Sequence, residues 1–349
     1  MDRIDRVLVR ATNWVGDAVM SLPALQALRR RFPRAHVTVL ARPWVADLYA
    51  RESFADEVIP YTAGRGWNDI GGKLRLARML RARRFDAAVL LQNAFEAAAL
   101  AWLARIPRRI GYDRDTRGWL LTDRIPVPRE GDIPRHEQFY YLELLRRAGL
   151  IDDLPRESTI RLHGAEPAAE SGRARFEKLG IREPVIGVSA GAAYGTAKRW
   201  LPERFAEAAS ELAVRLDASV ALFGSVDERV LCKEIATRIG PRARNLAGQT
   251  ALREYIELAA ACRVYLTNDS GGMHIASALG VPTVAVFGAT NDETTGPTGP
   301  LARVVREPVD CAPCLLRECP IDHRCMTGVA SERVIDEALA LLSTLPVLK

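Results

Sequence analysis

Short aliphatic runs alternate along this chain with longer stretches in which apolar residues recur every third or fourth position. The first pattern reads as buried strand and the second as amphipathic helix. In the first half, strands are expected at Arg6–Arg10, His36–Leu40, Glu57–Ile59 and Ala87–Leu91, with helices at Ala18–Arg31, Ile70–Arg83 and Phe95–Ala104. Pro23 falls within the first turns of its helix, where a missing N–H costs little. An amphipathic segment, His136–Ala148, leads to a boundary expected around Pro155 to Pro167. The pattern then restarts. Strands are expected at Val185–Ser189, Ser219–Phe223, Val264–Thr267 and Thr283–Phe287, and helices at Glu203–Leu216, Asp227–Ile239, Leu252–Ala260 and His274–Leu279. A last helix, Ser331–Leu342, closes the pattern. Strands alternating with helices in this way build α/β domains with parallel sheets. The expected division is 1–165, 166–330 and a C-terminal helix within 331–349.

Length agrees with this division, since 349 residues suit two domains of about 150 residues better than one. With 48% hydrophobic and 26% charged residues, the chain has a globular composition. No run approaches the roughly 18 apolar residues of a membrane span, and no apolar leader precedes Val7, so a cytoplasmic location is expected. The net charge of +6 favours anionic partners. The basic residues are dispersed and lack interleaved aromatics, which argues against nucleic acid.

Candidate chemistry sits where strands give way to helices. The first such loop is Ala11-Thr12-Asn13-Trp14-Val15-Gly16-Asp17. It is not G-x-G-x-x-G, which counts against a dinucleotide. Asp17 reads either as a helix N-cap or as a carboxylate at the sheet edge able to take a proton from an attacking hydroxyl. The second loop, Ser189 to Trp200, carries Gly191, Gly195, Thr196 and Lys198. Its glycines let backbone N–H groups approach a diphosphate, to which Thr196 adds a hydroxyl and Lys198 a charge; the alternative is a plain connector with a solvated lysine. It lacks the ending of a P-loop, which excludes that class of ATPase. The third is Thr267-Asn268-Asp269-Ser270-Gly271-Gly272-Met273-His274. There Asp269 suits sugar hydroxyls and His274 a phosphate oxygen, against a turn residue and an ordinary helix histidine. Asp227 and Glu228, after a strand and the turn Gly224-Ser225, suit ribose hydroxyls or simply cap a helix. Together these sites imply a nucleotide-diphosphate-sugar held by the second half and faced by one carboxylate from the first.

Trp14-Val15-Gly16-Asp17 with Ser21-Leu22-Pro23-Ala24-Leu25, Gly191 with Ala197-Lys198-Arg199-Trp200, and Thr267-Asn268-Asp269-Ser270-Gly271 with Met273-His274 occur in order. In these motifs the chain resembles the ADP-heptose:lipopolysaccharide heptosyltransferases of glycosyltransferase family 9, most of all those adding the second heptose. The resemblance spans roughly residues 5–345. It implies a GT-B fold, with two facing Rossmann-like domains and a cleft between them. It also implies inverting, metal-independent transfer of heptose from ADP-heptose to the inner core, Kdo-lipid A already bearing a heptose. By motif, Asp17 would be the general base, Lys198 would hold the diphosphate and Asp269 the heptose, while Ser270, Gly271 and His274 would line the phosphate pocket. Asn13, Arg65 and Lys73 are acceptor-side candidates, and Arg117 another; the three charged ones otherwise read as solvated charges. Contact with the inner membrane face would be peripheral. A heptosyltransferase acting at another core position, a nucleotide-sugar epimerase of the same architecture and a non-catalytic sugar-nucleotide binder are the alternatives.

Two features stand outside the motifs. Asp113-Arg114-Asp115 spells the D-x-D of metal-dependent glycosyltransferases, but it lies far from the nucleotide motifs and reads as a surface loop. Cys311, Cys314, Cys319 and Cys325, with His323, crowd into one short segment. The density suits a structural zinc, although the spacing is not a pair of C-x-x-C knuckles; free or redox-variable thiols and an iron–sulfur cluster are the other readings.

Overall fold

The computed structural model describes residues 4–62, 64, 69–155 and 159–345. The chain divides into two compact units, Met1–Ser158 and Thr159–Lys349.

Unit 1 contains β1 (Arg6–Arg10), α1 (Val15–Met20), α2 (Leu22–Arg31), β2 (His36–Ala41), α3 (Pro43–Ala50), β3 (Glu57–Pro60), α4 (Ile70–Ala82), β4 (Ala87–Leu90), α5 (Phe95–Leu103), β5 (Arg108–Tyr112), β6 (Asp123–Ile125) and α6 (Gln138–Arg147). The strands form one sheet in the order β3-β2-β1-β4-β5-β6, parallel throughout. The central strands are apolar along most of their length because helices cover both faces of a parallel sheet. Val7, Leu8 and Val9 of β1 and Ala88 to Leu90 of β4 are fully buried. The single helix expected over Ala18–Arg31 is two. Ser21 turns its hydroxyl back onto the Ala18 carbonyl at 2.8 Å, and Pro23 supplies no N–H to the helix ladder, so the chain breaks there and restarts.

Unit 2 repeats the plan with α7 (Ala165–Lys178), β7 (Val185–Ser189), α8 (Pro202–Arg215), β8 (Ser219–Leu222), α9 (Arg229–Ile239), β9 (Ala243–Asn245), α10 (Leu252–Ala260), β10 (Val264–Asn268), α11 (Gly271–Ala278), β11 (Thr283–Phe287), α12 (Asp292–Thr295), β12 (Ala302–Arg306), α13 (Arg324–Thr327) and α14 (Ser331–Ser343). Its sheet runs β12-β11-β10-β7-β8-β9, again parallel. Both units therefore have the doubly wound Rossmann order, and the Rossmann-like pair is the α/β fold expected. In such a sheet the crossovers reverse direction between the first and fourth strands, opening a crevice at the carboxyl edge. That point is β1/β4 in unit 1 and β7/β10 in unit 2.

The division falls within the expected stretch, Pro155 to Pro167, but a few residues before residue 165, because the connecting segment is tied to unit 2. The N–H of Ile160 donates to Thr298 and that of Leu162 to the Ala278 carbonyl, both at 2.9 Å. The C-terminal helix is part of unit 2, where Val334, Ile335, Ala338 and Leu341 join the core that contains Trp200 and Phe205.

Candidate functional site

In unit 1 the β1–α1 loop lies at the crevice. Asp17 is not an N-cap: Trp14 occupies that position, and Asp17 is the third residue of α1, in the first turn, where a carboxylate is favoured by the helix dipole. Facing it is a residue no motif announced. Burial and the nearby Asp17 carboxylate push the Glu137 carboxyl up to about 7. The hydroxyl of fully buried Tyr141 is likewise raised, by burial and then by Asp17. Asp17 thus has a neighbouring carboxyl that still holds a proton near neutral pH.

Beside this pair lies a group of cations. Arg10, the last residue of β1, is buried, which lowers its pKa, and donates to Asn13 Oδ1 at 2.9 Å and to the Tyr61 hydroxyl. Arg42, following β2, stacks its guanidinium on the Tyr61 ring at 4.4 Å and approaches Glu96 at 3.7 Å. Lys73 pairs with Glu96 at 3.0 Å and is mostly buried, so it is not a solvated charge. The Asn13 carbonyl accepts from Trp44 Nε1 at 2.7 Å. Asn13 and Lys73 therefore belong to one polar cluster at the carboxyl edge. Arg65 lies outside the described residues.

Arg117 corrects both of its readings, as substrate contact and as solvated charge. It is wholly buried, donating to the carbonyls of Tyr112 (3.0 Å) and Gln92 and to Asn93 Oδ1 (3.0 Å). Asp113 and Asp115 are exposed and pair with Arg124 at 2.9 Å and Arg114 at 3.6 Å, as a surface loop would.

In unit 2 three neighbouring strands, β10, β7 and β8, deliver the predicted donor residues to one edge, and β11 adds an unpredicted one, Thr290. At the crevice Asn268 stitches the loops together: its Nδ2 donates to the Ala190 carbonyl at 2.7 Å and its Oδ1 accepts from Trp200 N–H at 2.9 Å. This seats the turn Thr196–Lys198 beside Asp269. Lys198 Nζ reaches Asp269 Oδ2 at 2.5 Å, and Thr290, after β11, donates to the same oxygen at 2.6 Å. Lys198 also lies 4.9 Å from the centre of the Tyr194 ring. Ser270 caps α11, its hydroxyl accepting from the Met273 N–H at 3.5 Å, and Gly271 opens the helix. His274 is buried in the first turn. At Gly272 a Cβ would meet the Tyr255 hydroxyl at 2.8 Å and the Ser189 hydroxyl at 3.1 Å, so the glycine lets the start of α11 pack closely on those side chains.

Gly191, Thr196, Lys198, Asp269, Ser270, Gly271 and His274 are thus gathered on adjoining loops. Asp227 and Glu228 stand one strand further out, after β8. Glu228 accepts from the Ser225 N–H at 2.7 Å in a capping box, and its carboxylate packs against Gly191, where a Cβ would come within 1.8 Å of Oε1. Asp227 is exposed in the same turn. The local role of Glu228 is to cap and to shape the Gly191 loop.

The cysteine segment docks on this loop. Ala197 N–H donates to the Arg317 carbonyl at 3.0 Å, the Tyr194 hydroxyl to the Leu315 carbonyl at 2.7 Å, and the His323 ring meets the Ala197 carbonyl at 3.0 Å. Cys311, Cys314, Cys319, Cys325 and His323 line one cavity of about 80 Å³. Burial and then the neighbouring thiols raise Cys325. Among the described residues no three His, Cys, Asp or Glu side chains are arranged to hold a metal ion. As placed, the thiols share a cavity but do not form a ligand set. Cys232 and Cys262 are buried elsewhere, as expected of ordinary core thiols.

Residues 73–324 match the family model of glycosyltransferase family 9 (heptosyltransferase). Lipopolysaccharide heptosyltransferase 2 of Salmonella typhimurium is 32% identical over 346 residues, covering 97% of this chain and 99% of that one. Lipooligosaccharide heptosyltransferase 2 of Haemophilus ducreyi is 31% identical over 352 residues, covering 97% and 99%. The solved structure of Escherichia coli ADP-heptose LPS heptosyltransferase II superposes with a TM-score of 0.83 at 32% identity, over 97% of this chain and 99% of that one. A family match over most of the chain and relatives of this identity from end to end carry one conclusion: the chain belongs to glycosyltransferase family 9, the heptosyltransferases.

Proposed function

We propose that this protein moves L-glycero-D-manno-heptose from ADP-heptose to the inner core of lipopolysaccharide, adding the second heptose, at the cytoplasmic face of the inner membrane. What carries the reading is the Lys198–Asp269–Thr290 cluster at the unit 2 crevice, in a chain similar from end to end to heptosyltransferases 2. Lys198 and the N-terminus of α11 supply positive potential for a diphosphate. Asp269 supplies acceptor oxygens for sugar hydroxyls. Arg10, Arg42 and Lys73 give unit 1 the charge to meet an anionic acceptor.

The reaction is a single displacement. The acceptor hydroxyl gives its proton to Asp17 as its oxygen bonds to the anomeric carbon, and the bond from that carbon to ADP breaks with its electron pair going to the phosphate oxygen. Inversion follows, since no covalent sugar intermediate is formed. Lys198 and backbone N–H groups stabilise the charge growing on ADP. The clustered thiols take no part in these steps; their proposed work is to brace the donor loop, with structural zinc as the metal to be sought. Metal analysis of anaerobically purified protein tests that, and well under one equivalent of zinc removes it.

The test of function is incubation with ADP-heptose and a core acceptor carrying one heptose, in excess chelator, with Asp17→Asn in parallel. A heptose mass gain that survives chelator and collapses in the variant is expected. Transfer only to an acceptor without heptose would move the assignment to the first position. Isomerised donor without transfer would make the protein an epimerase.

A further inference from the structure

The surface of unit 1 carries a second feature that the reaction does not use. Four adjacent strands, β2, β1, β4 and β5, are each followed by a large exposed aromatic residue: Trp44, Trp14, Phe95 and Trp119. Alongside α5 two of them, Phe95 and Trp119, join Trp102 in a patch. Phe95, Trp102 and Trp119 are 42%, 48% and 65% exposed. Trp119 is the hub, with ring centres 6.2 Å from Phe95 and 6.4 Å from Trp102, and Leu103 is exposed beside them.

The patch is built rather than incidental. Trp119 sits in the turn Gly118–Leu120, between wholly buried Arg117 and buried Leu120. The Arg117 guanidinium ties this turn to the β4–α5 loop through Gln92 and Asn93. Gly118 lies against the Asp113 carboxylate, which a Cβ there would approach to 2.1 Å. The turn is thus anchored from inside while its tryptophan is held out in solvent. An exposed apolar cluster on a rigid frame marks an interaction surface.

Charge identifies the occupant. Residues 1–158 hold 27 Lys and Arg against 20 Asp and Glu, whereas residues 159–349 hold 22 against 23, so the whole positive excess lies in unit 1. Arg105 is exposed one turn beyond Trp102, and Arg75, Arg78 and Arg81 are exposed on α4, which packs beside α5. The exposed acids of the adjoining loop, Asp113 and Asp115, are paired with Arg124 and Arg114. Tryptophans within a basic field suit the headgroup level of an anionic bilayer, where rings enter the interface and arginines meet lipid phosphates. No helix among the described residues is long and apolar enough to cross a membrane. We propose that Phe95, Trp102 and Trp119, with Arg105, dock unit 1 on an anionic lipid surface. The proposal rests on the reading above that the acceptor is lipid-anchored, and it names the face that meets the lipid.

Flotation of the full chain with phosphatidylglycerol–phosphatidylethanolamine vesicles, and with phosphatidylcholine alone, tests this. Wild type is expected to float with the anionic vesicles, weakly with the neutral ones, and less as salt rises. Trp102→Ser/Trp119→Ser should lower partitioning about tenfold per ring removed, while transfer to a deacylated, water-soluble acceptor is unchanged. Equal flotation of wild type and variant, or none by either, overturns the proposal. So does a wild-type dimer that the variant splits while flotation stays the same, which would make a second copy the occupant. Failure of wild type to transfer heptose even to the soluble acceptor would instead sink the proposed reaction and leave flotation to decide the patch.

Discussion

Lys198 and Asp269 meet at 2.5 Å with side chains only 13% and 5% exposed, one from the loop after β7 and the other from the end of β10. The pair spans the point where the unit 2 crossovers diverge. In this state the lysine neutralises a carboxylate that would otherwise repel a diphosphate. A donor that brings both phosphate and sugar hydroxyls offers each partner a replacement, so binding can redistribute the pair without leaving either charge bare.

Lys198→Ala should therefore act twice. ADP affinity is expected to fall by about 10- to 100-fold, the worth of one charge-assisted contact. Stability is expected to fall by about 1–3 kcal/mol, because Asp269 keeps only Thr290 as a named partner. Asp269→Asn in the same background should restore part of the stability and none of the ADP affinity. Calorimetric titration and urea unfolding of both variants check this, and additive stability effects would show that the pair is not coupled.

The Glu137 carboxyl is pushed from 4.5 to about 7 by burial and by Asp17. A carboxyl raised in the folded state binds more protons than in the unfolded chain between those two values, so this group's contribution to stability falls as pH rises from 4.5 to about 7. Glu137→Gln should then match wild type near pH 5 and exceed it by about 2–3 kcal/mol above pH 8. The alkaline limb of kcat/KM should also flatten, since no second anion then forms beside Asp17. Unfolding midpoints at the two pH values decide the first point; an unchanged pH slope in the variant would show that Glu137 is ionised throughout.

Much of the frame was legible in the sequence because strands buried on both faces leave unbroken aliphatic runs. Val185–Ser189 and Thr283–Phe287 have the expected bounds. The edge strands β6, β9 and β12 passed unread because they are short or charged: Asp123-Arg124-Ile125 and Ala243-Arg244-Asn245 carry no run to detect. Motif positions led to Asp17, Lys198 and Asp269, each in a segment between a strand and the body of the next helix. Partners contributed from elsewhere left no such mark. Thr290 is an isolated hydroxyl after β11, and Glu137 lies at the start of α6. Arg10 did leave a signal, a cation closing the apolar run Val7-Leu8-Val9 of a central strand, which asks for a buried partner. Arg117 reads like any loop arginine until three acceptors surround it.

Those three acceptors set the cost of removing Arg117. Arg117→Ala would leave the Gln92 and Tyr112 carbonyls and the Asn93 amide oxygen without that donor and open a void under the Gly118–Leu120 turn. A loss of about 3–5 kcal/mol is expected. Arg117→Lys, which keeps the charge but not the planar fork, should recover only part of it. Chemical denaturation measures both, and a change within about 0.5 kcal/mol for the alanine variant would mean that the guanidinium does not hold the turn.

Gly195 carries the last prediction. Its backbone is extended, with φ of 163°, so any residue could adopt it. What excludes a side chain is the cysteine segment, for a Cβ would fall 2.1 Å from the Arg317 carbonyl oxygen. That contact lies beside the Ala197 N–H bond to the same oxygen and the His323 bond to the Ala197 carbonyl. Gly195→Ala must push the segment off the turn that bears Lys198. ADP binding is expected to weaken by about tenfold or more, equivalent to one lost hydrogen bond, with a smaller change in heptose transfer at saturating donor. His323→Ala should move the same way with no backbone clash, whereas His323→Gln, which can still donate to the Ala197 carbonyl, should stay near wild type. Wild-type ADP affinity in both Gly195→Ala and His323→Ala would show that the cysteine segment merely covers the donor loop, and its thiols would then need another purpose.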